Sequence, residues 1–301
     1  MRREATRAVE TAGEFASPLP RPLLGYVEQA ADSTALELDL RDAFEVGVVL
    51  TGTLERRLGD LAMALNPGDV WLCGMLEPHS WRFVAGGGMV VAIEFVAEFI
   101  GDGLLDDVAW PTLFTAPPGD RPRIVSPRAR QTALAIGEVF RQEFESQAAG
   151  WPSVVRAELL RLLLLLAREW SPGPSATEVT ATSPRELRRV MPAMARVSAD
   201  PAGRLGAEEA AAWCGLSVAH FNRIFRQVMN MSFHEFLLRY RLAAAAKQVL
   251  ATDSSLEDIA GGTGFVDHSH LHRMFLRYYG CTPHQYRSLR GLRAQRVVAV
   301  P

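Results

Sequence analysis

The chain has 301 residues, of which 48% are hydrophobic and 22% charged, a composition typical of a globular protein with two or three domains. Its three cysteines lie far apart, its first residues lack an apolar signal segment, and its longest apolar run is too short to span a bilayer. We therefore expect a cytoplasmic protein with no membrane partner and no disulfide framework.

Charge is distributed unevenly along the chain. Residues 183–301 contain 16 Arg and Lys against 9 Asp and Glu, a net charge of +7, whereas residues 1–182 carry a net charge of -9. Six of the seven histidines also lie in the basic part. This layout is expected when only one half of a protein meets a polyanion.

Residues 23–100 alternate between apolar and polar positions in short segments. FEVGVVLTGTLERRL (44–58) alternates around a Thr-Gly-Thr turn, and a triple-glycine loop at 86–88 leads into the apolar segment MVVAIEF. Short strands at a spacing of roughly ten residues predict a β-sandwich or small barrel.

Two helices are predicted next, at 131–147 and 153–170. The second is apolar on nearly every side, so all its sides should be buried. We expect this burial to be partly against the barrel and partly against a second subunit, through Leu159, Leu163, Leu164 and Leu166. A central core helix within a monomer is the alternative. A linker rich in Pro, Ser and Thr follows at 171–182.

The C-terminal part contains a repeat with an offset of 50 residues. Each copy has a short Ala-rich helix, a turn with glycine and a second helix, which is the plan of a helix-turn-helix. Ser217 and Asp267 precede the second helices as N-caps, and Asn230 and Gly280 follow them as left-handed C-terminal residues. A long helix at 232–250 connects the copies.

Each second helix has a face of polar and basic side chains opposite its apolar face. Such groups near a helix N-terminus can read base edges in a major groove. The candidate DNA-binding residues are Ala219, Asn222, Arg223, Arg226, His268, Ser269, His272, Arg273 and Arg277.

The segment DHSHLHR (267–273) raises the alternative of a metal site. On a helix His270 points away from His268 and His272, so three ligands cannot converge from this segment, and no metal is expected there. Simple solvation of all three histidines is the other alternative.

These motifs carry a resemblance to a known family. The segments GLSVAHFNRIFRQVMNMSFHEFLLRYRLAAAAKQVL and DIAGGTGFVDHSHLHRMFLRYYGCTPHQYR resemble the double helix-turn-helix domain of the AraC/XylS transcriptional regulators. The resemblance implies an α+β multidomain chain: a cupin-like sensor barrel (1–122), a helical dimerisation segment (123–170), the linker and an AraC-type DNA-binding domain (183–301). The two helix-turn-helix motifs would occupy about 205–227 and 255–278.

The resemblance extends more loosely to the acidic half. LNPGDVWL and EPHSWRF are similar to the PGD turn and PH strand of the family's cupin-like barrel, which binds a small molecule. Because His79 is the only histidine before His220, the metal triad of enzymatic cupins is incomplete, so we expect no catalytic residues, cofactor or metal. The candidate effector-binding residues are Phe44, Trp71, His79, Trp81, Arg82 and Glu94, and for each of them ordinary core packing is the favoured alternative.

The sequence thus predicts a homodimeric transcription regulator that binds double-stranded operator DNA in promoters under the control of an unidentified small-molecule effector. RNA polymerase is a further partner if the protein activates transcription. Two alternatives are an architectural DNA-binding protein without an effector and a cupin enzyme fused to a DNA-binding domain.

Overall fold

The computed structural model describes residues 23–30, 37–101, 104–170, 183–288 and 298–299. An antiparallel sheet precedes a helical region, which confirms the α+β fold class. The predicted linker at 171–182 lies outside the described residues.

The strands are β1 (Leu23–Ala30), β2 (Glu37–Asp39), β3 (Phe44–Leu58), β4 (Leu61–Leu65), β5 (Val70–Cys73), β6 (His79–Phe95) and β7 (Val298–Ala299). The helices of the first half are α1 (Ala97–Ile100), α2 (Trp110–Thr115), α3 (Pro127–Ser146) and α4 (Trp151–Glu169). Those of the second half are α5 (Pro184–Ala199), α6 (Ala207–Trp213), α7 (Val218–Met229), α8 (Phe233–Ala251), α9 (Leu256–Gly262), α10 (His268–Tyr279) and α11 (Pro283–Arg287).

Two long strands, β3 and β6, pair with each other and form the spine of the sheet. The first half of β3 pairs with β5 and the second half with β4. Similarly, β6 pairs first with β2 and then with β1. Glu45 and Arg56 are both on β3, and in a straight strand they would be roughly 35 Å apart. Their side chains meet at 2.7 Å, so the sheet folds over on itself.

The predicted turn at Thr51–Thr53 is wrong, because β3 continues through it. At the predicted glycine loop β6 also continues, but residues 84–87 have no partner on β3 in the ladder, and Gly86 and Gly87 have positive φ. The ladder between the two strands instead shifts register beside Gly52, as at a β-bulge. Gly52 has a φ of 78°, and a Cβ there would lie 2.2 Å from the carbonyl oxygen of Gly87. The glycines therefore bend the strands where they cross closely, without reversing the chain.

The folded sheet has two buried faces with separate cores. Its inner face encloses a cluster that includes Val49, Leu54, Trp71 and Phe83. Its outer face packs against α3 and belongs to a larger core that extends into the helices of the second half. Within that core α2 contacts β5, α4, α5 and α7, so it lies between the sheet and the second half.

The predicted dimerisation role of helix α4 is wrong for three of its four residues. Leu159, Leu163 and Leu166 are fully buried within the single chain, against α3 and neighbouring helices, and cannot reach a second subunit. Only Leu164 is partly exposed. The central core helix, the alternative to a subunit interface, is what the structure contains.

The second half contains both predicted helix-turn-helix motifs, α6–α7 and α9–α10, joined by the predicted long helix, which is α8. The Ser217 side chain accepts from the backbone N–H of His220, and Asp267 accepts from that of His270, so both predicted N-caps are confirmed. Asn230 and Gly280 end the second helices in the left-handed conformation, as predicted.

The burial of α4 predicts that Leu163→Ala will destabilise the chain without affecting self-association. The truncation should lower the free energy of unfolding by about 2–5 kcal/mol, because it leaves a cavity in a fully buried site. The matched variant Leu164→Ala, at a partly exposed position, should cost much less. Urea denaturation measures both. A Leu163→Ala variant with unchanged stability but weaker self-association would restore the dimerisation role.

Candidate functional site

Helices α7 and α10 present matching faces to solvent. Phe221, Ile224 and Phe225 anchor α7 in the core, and Leu271 and Phe275 anchor α10. Eight of the nine candidate DNA-binding residues are exposed: Ala219, Arg223, Arg226, His268, Ser269, His272, Arg273 and Arg277. Asn222 is half-buried.

Neighbouring side chains contact part of each of these two faces. Arg223 donates to the Gln227 side chain on the next turn at 3.4 Å, and Gln227 in turn donates to Glu186 of α5 at 3.2 Å. On α10, the His270 ring packs edge-on against Phe265, away from the exposed His268 and His272. The remaining polar groups of both faces are thus accessible to a partner.

A second polar assembly lies inside the folded sheet. The interior polar cluster consists of Tyr26, Glu45, Arg56, Trp71, Cys73 and His79, all of them buried. The Glu45 carboxylate accepts from Arg56 Nη2 at 2.7 Å, from Trp71 Nε1 at 2.6 Å and from the Tyr26 hydroxyl at 3.3 Å. His79 Nε2 lies 3.6 Å from the same carboxylate.

The charges of this cluster stabilise one another. Burial raises the pKa of Glu45, but the positive charges of Arg56 and His79 outweigh this effect, and the pKa falls to about 2. Burial lowers the pKa of His79, but Cys73 and Glu45 raise it, and the pKa is about 9. Glu45 is therefore ionised and His79 protonated at neutral pH.

Glu45, Cys73 and His79 are also the one group of three potential metal ligands found among the described residues, with ligand atoms within 4.8 Å of one another. A carboxylate, a thiolate and an imidazole are donors that zinc accepts. However, Arg56 Nη2 lies 2.7 Å from both Glu45 Oε1 and Cys73 Sγ, so the guanidinium already occupies the position between these ligands. In this arrangement the cation between Glu45 and Cys73 is the Arg56 guanidinium and not a metal ion.

The structure brings only part of the predicted effector-binding set to the interior. Trp71 and His79 belong to the cluster, and Trp81 packs partly against the same inner core. Glu94 is also buried, opposite Glu45 on β3, and pairs with Arg41 at 3.0 Å.

The other two predicted residues lie on the faces of their strands that point away from the interior polar cluster. Phe44 contacts the rings of Phe95, Trp110 and Phe114 in the outer core. Arg82 is partly exposed and donates to Glu55 at 2.8 Å. Both side chains lie away from the interior polar cluster because side chains alternate between faces along a strand, and their role in effector binding stays a prediction.

Sequence reasoning missed Tyr26, Glu45, Arg56 and Cys73 as members of the cluster. A signal was present for Arg56, because it alternates with the apolar residues Leu54 and Leu58 and so lies on their face of the strand. Charged side chains are rarely buried without a partner, so such positions indicate an interior ion pair.

Comparison with known proteins identifies the family. A helix-turn-helix domain family matches residues 210–288. A Haemophilus influenzae protein named as an HTH-type transcriptional regulator is 30% identical over 245 residues, which cover 76% of this chain and 81% of the relative. The chain belongs to the AraC/XylS family. This family member is accordingly a transcription regulator.

Other relatives divide into partial sequence matches and whole-chain structural matches. The activator RhaR of Mannheimia succiniciproducens is 36% identical over 73 residues, or 24% of this chain and 26% of RhaR. The structure of ToxT from Vibrio cholerae matches this AraC/XylS family member with a TM-score of 0.57 at 10% sequence identity. The match includes 89% of this chain and 98% of ToxT, so the two proteins share a fold. One similar ToxT structure contains an unsaturated fatty acid.

The helices in the described part of this regulator include no candidate for a membrane span, because none combines sufficient length with sufficient hydropathy.

The lowered pKa of Glu45 predicts a pH-dependent contribution to stability. At pH 7 Glu45→Gln should lower the free energy of unfolding by about 3–5 kcal/mol, because it leaves buried Arg56 and His79 without a counter-charge. Since Glu45 has a lower pKa in the folded chain than the 4.5 expected when unfolded, its stabilisation is present above pH 4.5 and is lost as pH falls toward 2.

Urea denaturation of the wild type and Glu45→Gln at pH 7, 4 and 3 measures this effect. The stability difference between the two proteins should shrink at each step. Glu55→Gln is the matched control, since Glu55 lies on the same strand but its partner Arg82 is solvent-accessible. A difference that stays constant over this range would show that Glu45 is not the titrating group.

Proposed function

We propose that this regulator binds operator DNA through the exposed faces of α7 and α10 and that a small molecule bound by the sheet domain controls this binding. The observation that carries the proposal is the pair of equivalent helices, each capped by a side chain and each exposing basic and polar groups. The net charge of +7 on residues 183–301 supports a polyanionic partner.

The geometry of the repeat suggests how DNA would be bound. Two helix-turn-helix motifs in one chain can place their second helices in successive major grooves, so each subunit would cover roughly 20 base pairs. Cytoplasmic location, a homodimer and, for an activator, contact with RNA polymerase are further parts of the proposal. Of the four residues predicted to mediate dimerisation, Leu164 alone is accessible enough for that role.

The exposed arginines are expected to fall into two classes. Arg223→Ala and Arg273→Ala should relax base discrimination, at about 1–3 kcal/mol each, because arginine near a helix N-terminus can contact guanine bidentately. Arg226→Ala, one turn later than Arg223, should weaken binding to all sequences alike, as loss of a phosphate contact does. Binding-site selection followed by fluorescence anisotropy at increasing salt measures both effects.

Two results would contradict this assignment. One is an affinity of the wild-type chain that is independent of salt, because phosphate contacts release counterions. The other is a change of preferred sequence in Arg226→Ala without one in Arg223→Ala.

The interior polar cluster is the proposed sensing element. Buried ionised groups with displaced pKa values are more frequent at functional sites than elsewhere, and this cluster contains Glu45 and His79. The ToxT structure with a bound unsaturated fatty acid supports the sensing role, because it is a protein of the same fold that binds a small molecule.

A metabolite screen by thermal shift, followed by operator binding, tests the sensing role. A compound that raises the melting temperature of the wild type should also change its DNA affinity, and His79→Gln should lose both responses. Arg82→Ala should retain them, because its side chain lies outside the cluster. An operator affinity that no stabilising compound changes would favour the architectural alternative.

A further inference from the structure

Helix α8, which joins the two helix-turn-helix motifs, makes polar contacts with the sheet domain through Arg239 and Lys247. Lys247 Nζ lies 2.8 and 2.9 Å from the two carboxylate oxygens of Asp42. About two turns earlier on the helix, Arg239 Nη1 donates to the carbonyl oxygen of Leu76 at 3.0 Å. The guanidinium of Arg239 also lies over the ring of Tyr278 on α10, at 5.5 Å from the ring centroid.

The two sheet-domain segments that hold α8 are bonded to each other. The backbone N–H of Leu76 donates to the carbonyl oxygen of Arg41 at 2.6 Å. Leu76 is fully buried and has a φ of 55°, a left-handed conformation that leucine rarely adopts, so its surroundings fix it in place. Arg41, Asp42 and Leu76 therefore form one unit, the docking platform.

The docking platform lies directly beside the interior polar cluster. Asp42 precedes Glu45 by three residues and Leu76 follows Cys73 by three, and Glu45 and Cys73 are paired across β3 and β5. A side-chain contact reinforces this connection, because Arg41 pairs with Glu94, the residue opposite Glu45 on β6. A rearrangement around Glu45 or Cys73 would thus move the ends of the strands that support the platform.

We propose that the docking platform transmits the state of the interior polar cluster to α8 and, through α8, to both DNA-binding helices. The inference rests on the proposed function, since it needs operator binding as its output. Because α8 is one continuous helix between the motifs, a shift at Asp42 or Leu76 reaches α7 and α10 together.

The chemistry of the contact suits a switch that opens and closes. The Lys247 side chain is 58% exposed, so water can replace Asp42 as its partner when the platform moves. Burial raises the pKa of Asp42, whose side chain is 18% exposed, but Lys247 outweighs this effect and the pKa is lowered. Partial burial lowers the pKa of Lys247, but Asp42 outweighs it and the pKa is raised. Both groups therefore stay charged near neutral pH.

A double-mutant cycle on the full chain tests this route without an identified effector. The readout is the dissociation constant for an operator duplex obtained by binding-site selection. Glu45→Gln in the otherwise wild-type chain should change this constant by roughly 5-fold or more, the usual lower range for coupled sites. In a Lys247→Met background the same substitution should change it by less than about 2-fold, which is smaller than that range.

Asp106→Asn provides the matched control. It removes the ion pair of Asp106 with Arg188 of α5, which also joins the two halves, with two contacts of 2.9 Å, but does not involve the docking platform. The effect of Glu45→Gln should persist in this background. Tyr26→Phe, which removes only one hydrogen bond to Glu45, replaces Glu45→Gln if the latter does not fold by circular dichroism.

Three results would overturn the inference. The first is an effect of the cluster substitution that is equally large with and without Lys247. The second is its loss in Asp106→Asn as well, which would indicate general loosening between the halves. The third is unchanged operator affinity in both Glu45→Gln and Tyr26→Phe. Failure of the wild-type chain to bind any duplex would instead refute the proposed function itself.

Discussion

The carboxylate of Glu45 is the point at which four strands of the sheet meet. It accepts hydrogen bonds from Tyr26 on β1, from Trp71 on β5 and from Arg56 at the far end of its own strand, and it lies beside His79 on β6. Glu45 and Arg56 are each only 1% exposed, so neither charge has water as an alternative partner. The fold-over of the sheet is therefore inseparable from this ion pair, because opening it would leave both charges unpaired in an apolar interior.

The inward orientation of Glu45 also determines which neighbouring side chains point to the outer face of the sheet. Because neighbouring residues on a strand point to opposite faces, Phe44 and Phe95 flank Glu45 and Glu94 but project into the outer core. There both rings contact Trp110 of α2. The inner polar assembly and the outer aromatic packing are thus two faces of the same strand ends.

Local signals made the second half predictable from sequence. Ser217 and Asp267 cap helices whose apolar residues recur at helical spacing, and every element of that pattern lies within a few residues. The sheet domain could not be predicted as well, because its geometry depends on contacts between distant segments. In the sequence, Gly52 is typical of a turn, and only the structure shows that the backbone of Gly87 packs against it. The bend of the strand at this contact changes which side chains face inward.

The same distinction explains the errors at individual residues. The leucines of α4 form an apolar run that fits either a subunit interface or an interior helix, and only the packing of α3 against α4 decides between them. The pairing of Glu45 with Arg56 could be anticipated only in kind, as a buried charge in need of a partner. Which partner it has follows from the fold-over.

Helix α2 has one further consequence, for how such regulators can be recombined. All six of its residues are buried, and it contacts α5 and α7 as well as the sheet domain. A chimaera that joins the DNA-binding half of this chain to a foreign sensor would therefore expose apolar surface on α5 and α7 unless the new sensor supplied an equivalent of Trp110 and Phe114. Helices α5 and α7 are thus fitted to the particular sheet domain that precedes them in this chain.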